Sequence, residues 1–448
     1  MSDLRVYSPG TSTSMTKQPP ESRCAATLRK HATARLPAPV RECPRPGARV
    51  GYRLAVRLGW VVVAVAAMGF VLSPTGSSAP PPVRISVMPV KALLDAPFAI
   101  KVTGLAPSQR VTLKLTEVGA SGGQLAASRR VEADKHGVVD LAHSNILALV
   151  SPSQGSKGGL LPRFTRNVRV SVVASGRTLA STTAIRFATA PSVRIIDQRP
   201  AKSGVYGEYF RPAGASSRTA VVLLGGSNGG LGNGFAAGLL ASHGYPVLSL
   251  AYFGAPGLPT TLQRIPLEYF QHAISWLAKQ PEADPKRITV IGVSRGGEAA
   301  LLIGATYPKL VRAVAAYVPS DTVYPSPTNY SVPAWTLAGK GVASTPIAVE
   351  KIGGPVFLVG GGDDQLWPSG FAVTSVAKRM RDHGRRDVTA LTYEQAGHGA
   401  GAIAPNVATS PTINSRYGFL YLGGTPAADA AARADSWPKL LRFLSRLQ

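Results

Sequence analysis

The stretch ITVIGVSRGGEAALLIG, residues 288–304, decides how the rest of the chain is read. Its first half is apolar and β-branched, its second half is rich in alanine and leucine, and Gly292-Val293-Ser294-Arg295-Gly296 lies between them. That order predicts a buried strand, a sharp turn and a helix, with Ser294 at the apex. So tight a turn leaves no room for side chains beside the serine, which is the mechanical use of the flanking glycines. The following helix aims unpaired amides at the space above the hydroxyl, where a developing oxyanion would be stabilised. A bare G-x-S-x-G recurs by chance in a chain with 47 glycines. The strand before it and the helix after it make Ser294 a candidate nucleophile rather than a surface turn.

A serine hydroxyl is a weak nucleophile until a base takes its proton and a third group orients the base. In a strand–elbow–helix setting these partners follow in the order acid, then histidine. Downstream, GGPVFLVGGGDDQLWPSG reads as a buried strand, Val356 to Val359, running into a glycine turn and the pair Asp363-Asp364. VTALTYEQAGHGAG then gives another strand with His398 in the glycine-flanked loop past its end. Parallel sheets place their working residues there, beyond the carboxyl ends of strands. The other histidines fall in the basic tail (His31), an earlier β-patterned unit (His136, His143), a helix end (His243), a helix face (His272) and a Lys/Arg-rich helix end (His383). Spacing does not separate Asp363 from Asp364, and either could cap a helix starting near Pro368.

Working outward, the region from about residue 190 alternates strands with helices. TAVVLLGG (219–226) is a strand ending in glycines, FAAGLLASHG a helix, PVLSLAYF a strand and IPLEYFQHAISWLAKQ an amphipathic helix. Val311 to Val318 is the strand after the Ser294 unit, followed by a Pro-rich excursion over roughly 319–353. A helix from Gly370 to His383 and a closing helix from Trp437 to Leu447 complete the pattern. Repeated βα units predict a parallel, doubly wound α/β sheet over 190–448. Residues 83–189 instead show period-two alternation, as at Val83, Ile85 and Val87, or Val168, Val170 and Val172, with turn residues between runs. This predicts an all-β, immunoglobulin-like sandwich without a catalytic cluster.

The N-terminal region has another character. Residues 58–72, LGWVVVAVAAMGFVL, are an uninterrupted apolar run, with Arg53 and Arg57 before it and no positive charge after it until Arg84. It is short for a comfortable span and fits a signal or membrane-anchor segment. Its flanks orient the N-terminus to the cytoplasm and the bulk of the chain outside. A linker covers 73–82. Residues 1–57 are Pro-, Ser-, Thr- and Arg-rich, the composition of a disordered tail.

Lys and Arg outnumber Asp and Glu by 49 to 23 across the chain, and residues 1–57 hold 11 of the basic residues against 3 acids. The remaining basic residues are scattered, with no basic helix or aromatic-interleaved patch, which argues against a nucleic-acid partner. The only cysteines, Cys24 and Cys43, sit in the tail, so the folded part uses neither disulfides nor thiolate-bound metal. Glycines 225, 226, 229 and 230 in LLGGSNGG resemble a phosphate cradle, but the Lys-Ser/Thr ending of a P-loop is missing. In a serine hydrolase this loop supplies a second oxyanion donor beside the Arg295 amide; Gly226 or a neighbour fills that role.

Over nearly all of residues 83–448 the chain resembles the acyl-CoA thioesterase and bile acid-CoA:amino acid N-acyltransferase family. The resemblance is carried by FAIKVTGLAPSQRVTLKL, LSLAYFGAPGLPTTLQRIPLEYFQHAISWL, VIGVSRGGEAAL, IAVEKIGGPVFLVGGGDDQLWPS, RMRDHGRR and YEQAGHG. It implies a β-sandwich followed by an α/β-hydrolase domain and a triad of Ser294, Asp364 and His398, the acid being the second of the pair. Acyltransferase members use cysteine as nucleophile and thioesterases mostly serine, so Ser294 favours water as the acyl acceptor. The expectation is a serine acyl hydrolase needing no metal or organic cofactor, cleaving an acyl thioester or ester. The family lacks the 1–82 extension. If that segment exports the enzyme, CoA thioesters are scarce where it works, and a carboxylesterase or lactone (dienelactone-type) hydrolase is the alternative. A membrane-anchored binding protein with a relic site is the non-enzymatic alternative.

Overall fold

The computed structural model describes residues 81–118, 124–142, 165–214, 217–406, 411–415 and 417–448. The basic tail, the apolar run 58–72 and linker residues 73–80 lie outside the described residues. Among those described, no helix is long and apolar enough to cross a membrane.

Residues from Arg194 onward build an eight-stranded sheet. Its strands are β1 (Arg194–Gln198), β2 (Tyr206–Arg211), β3 (Arg218–Leu224), β4 (Val247–Ala251), β5 (Ala283–Val293), β6 (Ala313–Tyr317), β7 (Val356–Gly361) and β8 (Val388–Tyr393). In space they run β8-β7-β6-β5-β3-β4-β2-β1. From β4 through β8 all neighbours are parallel, while β2 pairs antiparallel with both β1 and β4. Parallel neighbours need crossovers, supplied by α1 (Gly234–Ser242), α2 (Leu267–Ala278), α3 (Arg295–Thr306) and α4 (Ser369–Asp382). Strands β4, β6 and β7 are buried at every position, because helices cover both faces of the sheet. Two cores result. One holds Val222, Leu250, Phe270, Val290, Leu301 and Trp335; the other holds Leu223, Leu239, Ile291, Tyr317, Phe357 and Trp437.

The closing helix α5 runs over Pro426–Ser445 and is longer than the Trp437–Leu447 expectation. Thr425 caps it by accepting from the Ala428 amide, and Pro426 sits in its first turn, where a missing N–H costs nothing. Pro438, which suggests a helix start when read locally, is accommodated inside the helix. The Pro-rich excursion after β6 is not bare loop. It holds short strands at Pro325–Ser326, Asn329–Pro333, Trp335–Leu337 and Lys340–Gly341.

Residues 84–187 contribute two further sheets. One orders Arg84–Met88, Ala99–Thr103 and Val139–Asp140; the other has five strands, with Thr165–Ala174 between Arg177–Phe187 and Arg110–Val118. Val87, Ile100, Val102 and Val139 of the first share one buried cluster with Leu113, Leu115, Val170 and Val172 of the second. This region meets the C-terminal region through apolar and polar contacts, with Leu94 joining the second core. Asp95 accepts from the Trp437 indole (2.9 Å) and meets His243 Nε2 (2.6 Å), and Arg166 donates to the Asn406 carbonyl (2.7 Å).

Candidate active site

Ser294 stands between the last residue of β5 and the first of α3, with φ 58° and ψ −122°. A non-glycine residue with positive φ is strained, and such strain persists only where the surroundings over-determine it. Here they do. A Cβ on Gly292 would strike the Gly296 carbonyl, and one on Gly296 would strike the carbonyls of Leu224 and Gly225 at the end of β3. The Ser294 amide donates to Tyr317 O of β6 (2.9 Å), and its carbonyl accepts from the Glu298 amide (3.0 Å). The residue is only 8% exposed.

Gly226 lies directly beside the serine, since a Cβ built on it would come within 3.2 Å of Ser294 Cβ and 3.6 Å of Oγ. Its loop is held from β4 and the residue after it: Ser249 Oγ donates to Gly232 O (2.9 Å) and Tyr252 Oη to Gly225 O (2.8 Å). Gly229 and Gly230 both take positive φ there, which gives the loop its tight return. Arg295 begins α3, where an amide has no carbonyl one turn back to donate to. Gly226 thus packs against the Ser294 side chain, and Arg295 follows the serine at the start of α3.

The two neighbouring aspartates have different surroundings. Asp364 Oδ2 meets His398 Nδ1 at 2.8 Å and accepts from Ser369 Oγ at 2.6 Å, and its Oδ1 accepts from the Leu366 amide at 3.0 Å. Its side chain is fully buried. Asp363 faces the other way, accepting from the Gly424 amide (3.0 Å) and from Gln365 (2.7 Å). Neither caps α4 by a side-chain hydrogen bond. His398 opens a short 3₁₀ turn, His398–Ala402, whose Gly401 approaches Val293 and Val318 so closely that a Cβ would collide with Val318. The histidine loop thus rests against the strand end that carries Ser294. No hydrogen bond joins Ser294 Oγ to the His398 ring among the described residues; such contacts tighten only when substrate is bound in many enzymes.

The remaining histidines of the described residues do other work. His243 caps α1 and meets Asp95, His272 Nε2 meets Ser203 O at 3.0 Å, and His383 ends α4 against Arg379 O at 2.8 Å. His136 lies in a turn closed by Asp134, and His143 is outside the described residues. No group of three or more His, Cys, Asp or Glu is arranged to hold a metal among the described residues.

A buried polar group beneath the elbow escapes sequence reading. Arg295 Nη1 donates to Glu298 Oε2 (2.8 Å), while Nη2 donates to the carbonyls of Tyr324 (2.9 Å) and Pro325 (3.1 Å). Glu298 Oε1 accepts from the Trp335 indole at 2.7 Å and the Tyr324 amide at 3.2 Å. Burial pushes the Glu298 carboxyl up to about 7, against the pull of Arg295. This pair ties the first turn of α3 to the excursion after β6. Tyr324 from that excursion stacks on Trp367, centroids 5.9 Å apart, and Trp367 presents its edge to His398 at 5.5 Å. The only local signal was the R-x-x-E spacing, which reads as an ordinary helix-surface pair.

The C-terminal family model described as "BAAT / Acyl-CoA thioester hydrolase C terminal" matches residues 265–343 and 331–447. This span holds Ser294, Asp364 and His398. The chain is 28% identical over 414 residues to acyl-coenzyme A thioesterase 6 of Mus musculus, covering 81% of this chain and 96% of that protein. It is 29% identical to acyl-coenzyme A thioesterase 1 of Homo sapiens, covering 79% and 93%. Residues 265–447 thus carry the C-terminal region of the BAAT / acyl-CoA thioester hydrolase family, and about four-fifths of the chain is similar to acyl-CoA thioesterases. The chain is a hydrolase. Among solved structures, a puromycin-hydrolysing peptidase of Mycobacterium tuberculosis superposes on 80% of this chain and 53% of its own, at 16% identity and a TM-score of 0.45.

Proposed function

We propose that this hydrolase is a serine acyl hydrolase acting on acyl thioesters, those of coenzyme A first, through an acyl-serine intermediate. Ser294 Oγ attacks the acyl carbon, and its proton passes to His398 Nε2. Asp364, bound to Nδ1, fixes the tautomer that leaves Nε2 free to accept, and supports the imidazolium that forms. The amides of Arg295 and Gly226 donate to the oxyanion. As the tetrahedral adduct collapses, the carbon–sulfur bond breaks and His398 gives its proton to the thiolate. Water then loses a proton to His398 and attacks the acyl-serine. Its collapse releases the acid and returns the proton to Ser294.

The observation that carries this reading is the 2.8 Å contact from His398 Nδ1 to Asp364 Oδ2, on a loop resting against the strand that ends at Ser294. The test is labelling of the full chain with a fluorophosphonate serine probe, beside thioester turnover. Wild type is expected to label, and Ser294→Ala to lose both label and turnover. His398→Ala should drop turnover by about 10⁴-fold. Labelling that survives in Ser294→Ala would move the nucleophile elsewhere.

A second reading, an extracytoplasmic carboxylesterase or lactone hydrolase, is favoured by the apolar run 58–72 with Arg53 and Arg57 before it. It uses the same three side chains with an alkoxide leaving group. A C-terminal reporter fusion, with turnover of acyl-CoA compared against simple esters, separates the two readings. A cytoplasmic C-terminus with acyl-CoA preferred supports the thioesterase, and the reverse supports the esterase.

A further inference from the structure

Between β8 and α5 the chain crosses behind both loops that carry the proposed acid and base. His398 N donates to Leu422 O at 2.8 Å, Gly424 N donates to Asp363 Oδ2 at 3.0 Å, and Asp364 forms an isolated antiparallel bridge with Gly423. A Cβ on Gly397 would strike the Gly423 carbonyl, and one on Gly424 the Gly397 amide, so backbone packs on backbone here. From the first turn of α5, Asp429 reaches into this junction. Its Oδ1 accepts from the Gly397 amide at 2.8 Å, one peptide before His398.

Asp429 is 0% exposed, and its Oδ2 has no hydrogen-bond partner. Arg433, one turn further along α5, is 1% exposed and leaves Nε and Nη1 unpartnered. No salt bridge closes between the two side chains. Burial therefore costs both groups without a direct ion pair in return, and an apolar residue of similar volume would be cheaper at position 429. The one hydrogen bond that the carboxylate makes is with the peptide leading into the base.

We propose that Asp429 is a positioning residue for the proposed base: by holding the Gly397 amide it fixes the Gly397–His398 peptide, and so the imidazole relative to Asp364 and Ser294. Arg433 supplies the nearby positive charge that allows a carboxylate in so dry a place, since burial and the negative charge of Asp364 both act to raise its pKa. A displaced imidazole would bind substrate normally and transfer its proton poorly. The effect thus falls on kcat and spares KM.

This inference rests on the Ser294–His398–Asp364 reading, and His398→Ala is the control that tells the two apart. In the full chain, with a p-nitrophenyl ester as probe and rates normalised to the folded fraction by circular dichroism, Asp429→Ala should lose about 10- to 100-fold in kcat. Its KM should stay within about twofold. Asp429→Asn keeps a carbonyl acceptor for the Gly397 amide and should recover most of the rate. If both variants turn over as wild type does while His398→Ala is inactive, Asp429 is no more than structural and the proposal is overturned. If Asn fails to rescue Ala, the hydrogen bond is not the reason and the proposal falls equally. If His398→Ala keeps its activity, the triad reading fails first.

Discussion

Strand Thr165–Ala174 of the N-terminal β region alternates between exposed and buried positions, whereas β6 of the eight-stranded sheet is buried at all five. The first sheet has one wet face and hides its other face against a partner sheet, with Val170 and Val172 inward. The second is covered on both faces, so polar chemistry has no place along its strands and collects at their carboxyl ends. Ser294, Asp364 and His398 all follow such ends, after β5, β7 and β8. A one-sided sheet can be stable anywhere along its length, but a two-sided parallel sheet gathers its loops at one edge. That difference is why one region carries a candidate site and the other carries none among its described residues.

The largest effect we expect separates two adjacent carboxylates at that edge. Asp364→Asn should lower kcat by about 10⁴-fold, because an amide there cannot hold the required imidazole tautomer or support its charge. Asp363→Asn, whose partners are the Gly424 amide and Gln365, should stay within about tenfold of wild type. Steady-state kinetics on both variants checks this, and equal losses would erase the distinction. Next, Ile100→Ala empties a fully buried position between the two N-terminal sheets. It should cost about 2–5 kcal/mol in urea unfolding while the kcat/KM of the folded enzyme is unchanged. A matching loss of kcat/KM would mean that the two regions are not separable in function.

The third contrast is in pH. The Glu298 carboxyl is raised from 4.5 to about 7 by burial, so its proton is held more tightly in the folded state than in the unfolded. The stability tied to that proton is full below pH 4.5, falls as pH rises toward about 7, and is flat above. Glu298→Gln should remove this slope from melting temperatures taken between pH 5 and 8, and an unchanged slope would assign it to another group. Smallest of all, Arg110 pairs with Glu132 at 2.9 Å on the N-terminal β region with its side chain 85% exposed. Arg110→Ala should change stability by under about 1 kcal/mol, and less still in high salt.

The elbow was legible because its cause is contiguous: strand, glycine, serine, glycine and helix follow one another, and the steric demand lies within five residues. His398 was legible from its place after a strand. The start of α5 was not, because Pro438 imitates a helix beginning and the true cap, Thr425-Pro426, follows a glycine pair that reads as loop. Asp429 gave no sign and Glu298 only an R-x-x-E spacing, since an acid on a helix usually marks a solvated face.

By itself the sequence determined the βα alternation, the strained serine turn and the short range of candidates for base and acid, since each follows from neighbours along the chain. On residues alone Asp363 and Asp364 were interchangeable, and only family resemblance preferred the second. Tertiary structure decided which carboxylate turns toward the imidazole 34 residues on, and that Arg295 and Glu298 turn inward to hold the excursion after β6. It also decided that α5 reaches back to the peptide before His398. These are packing outcomes. A side chain's direction depends on which distant backbone excludes it from the alternative, and no local pattern records that.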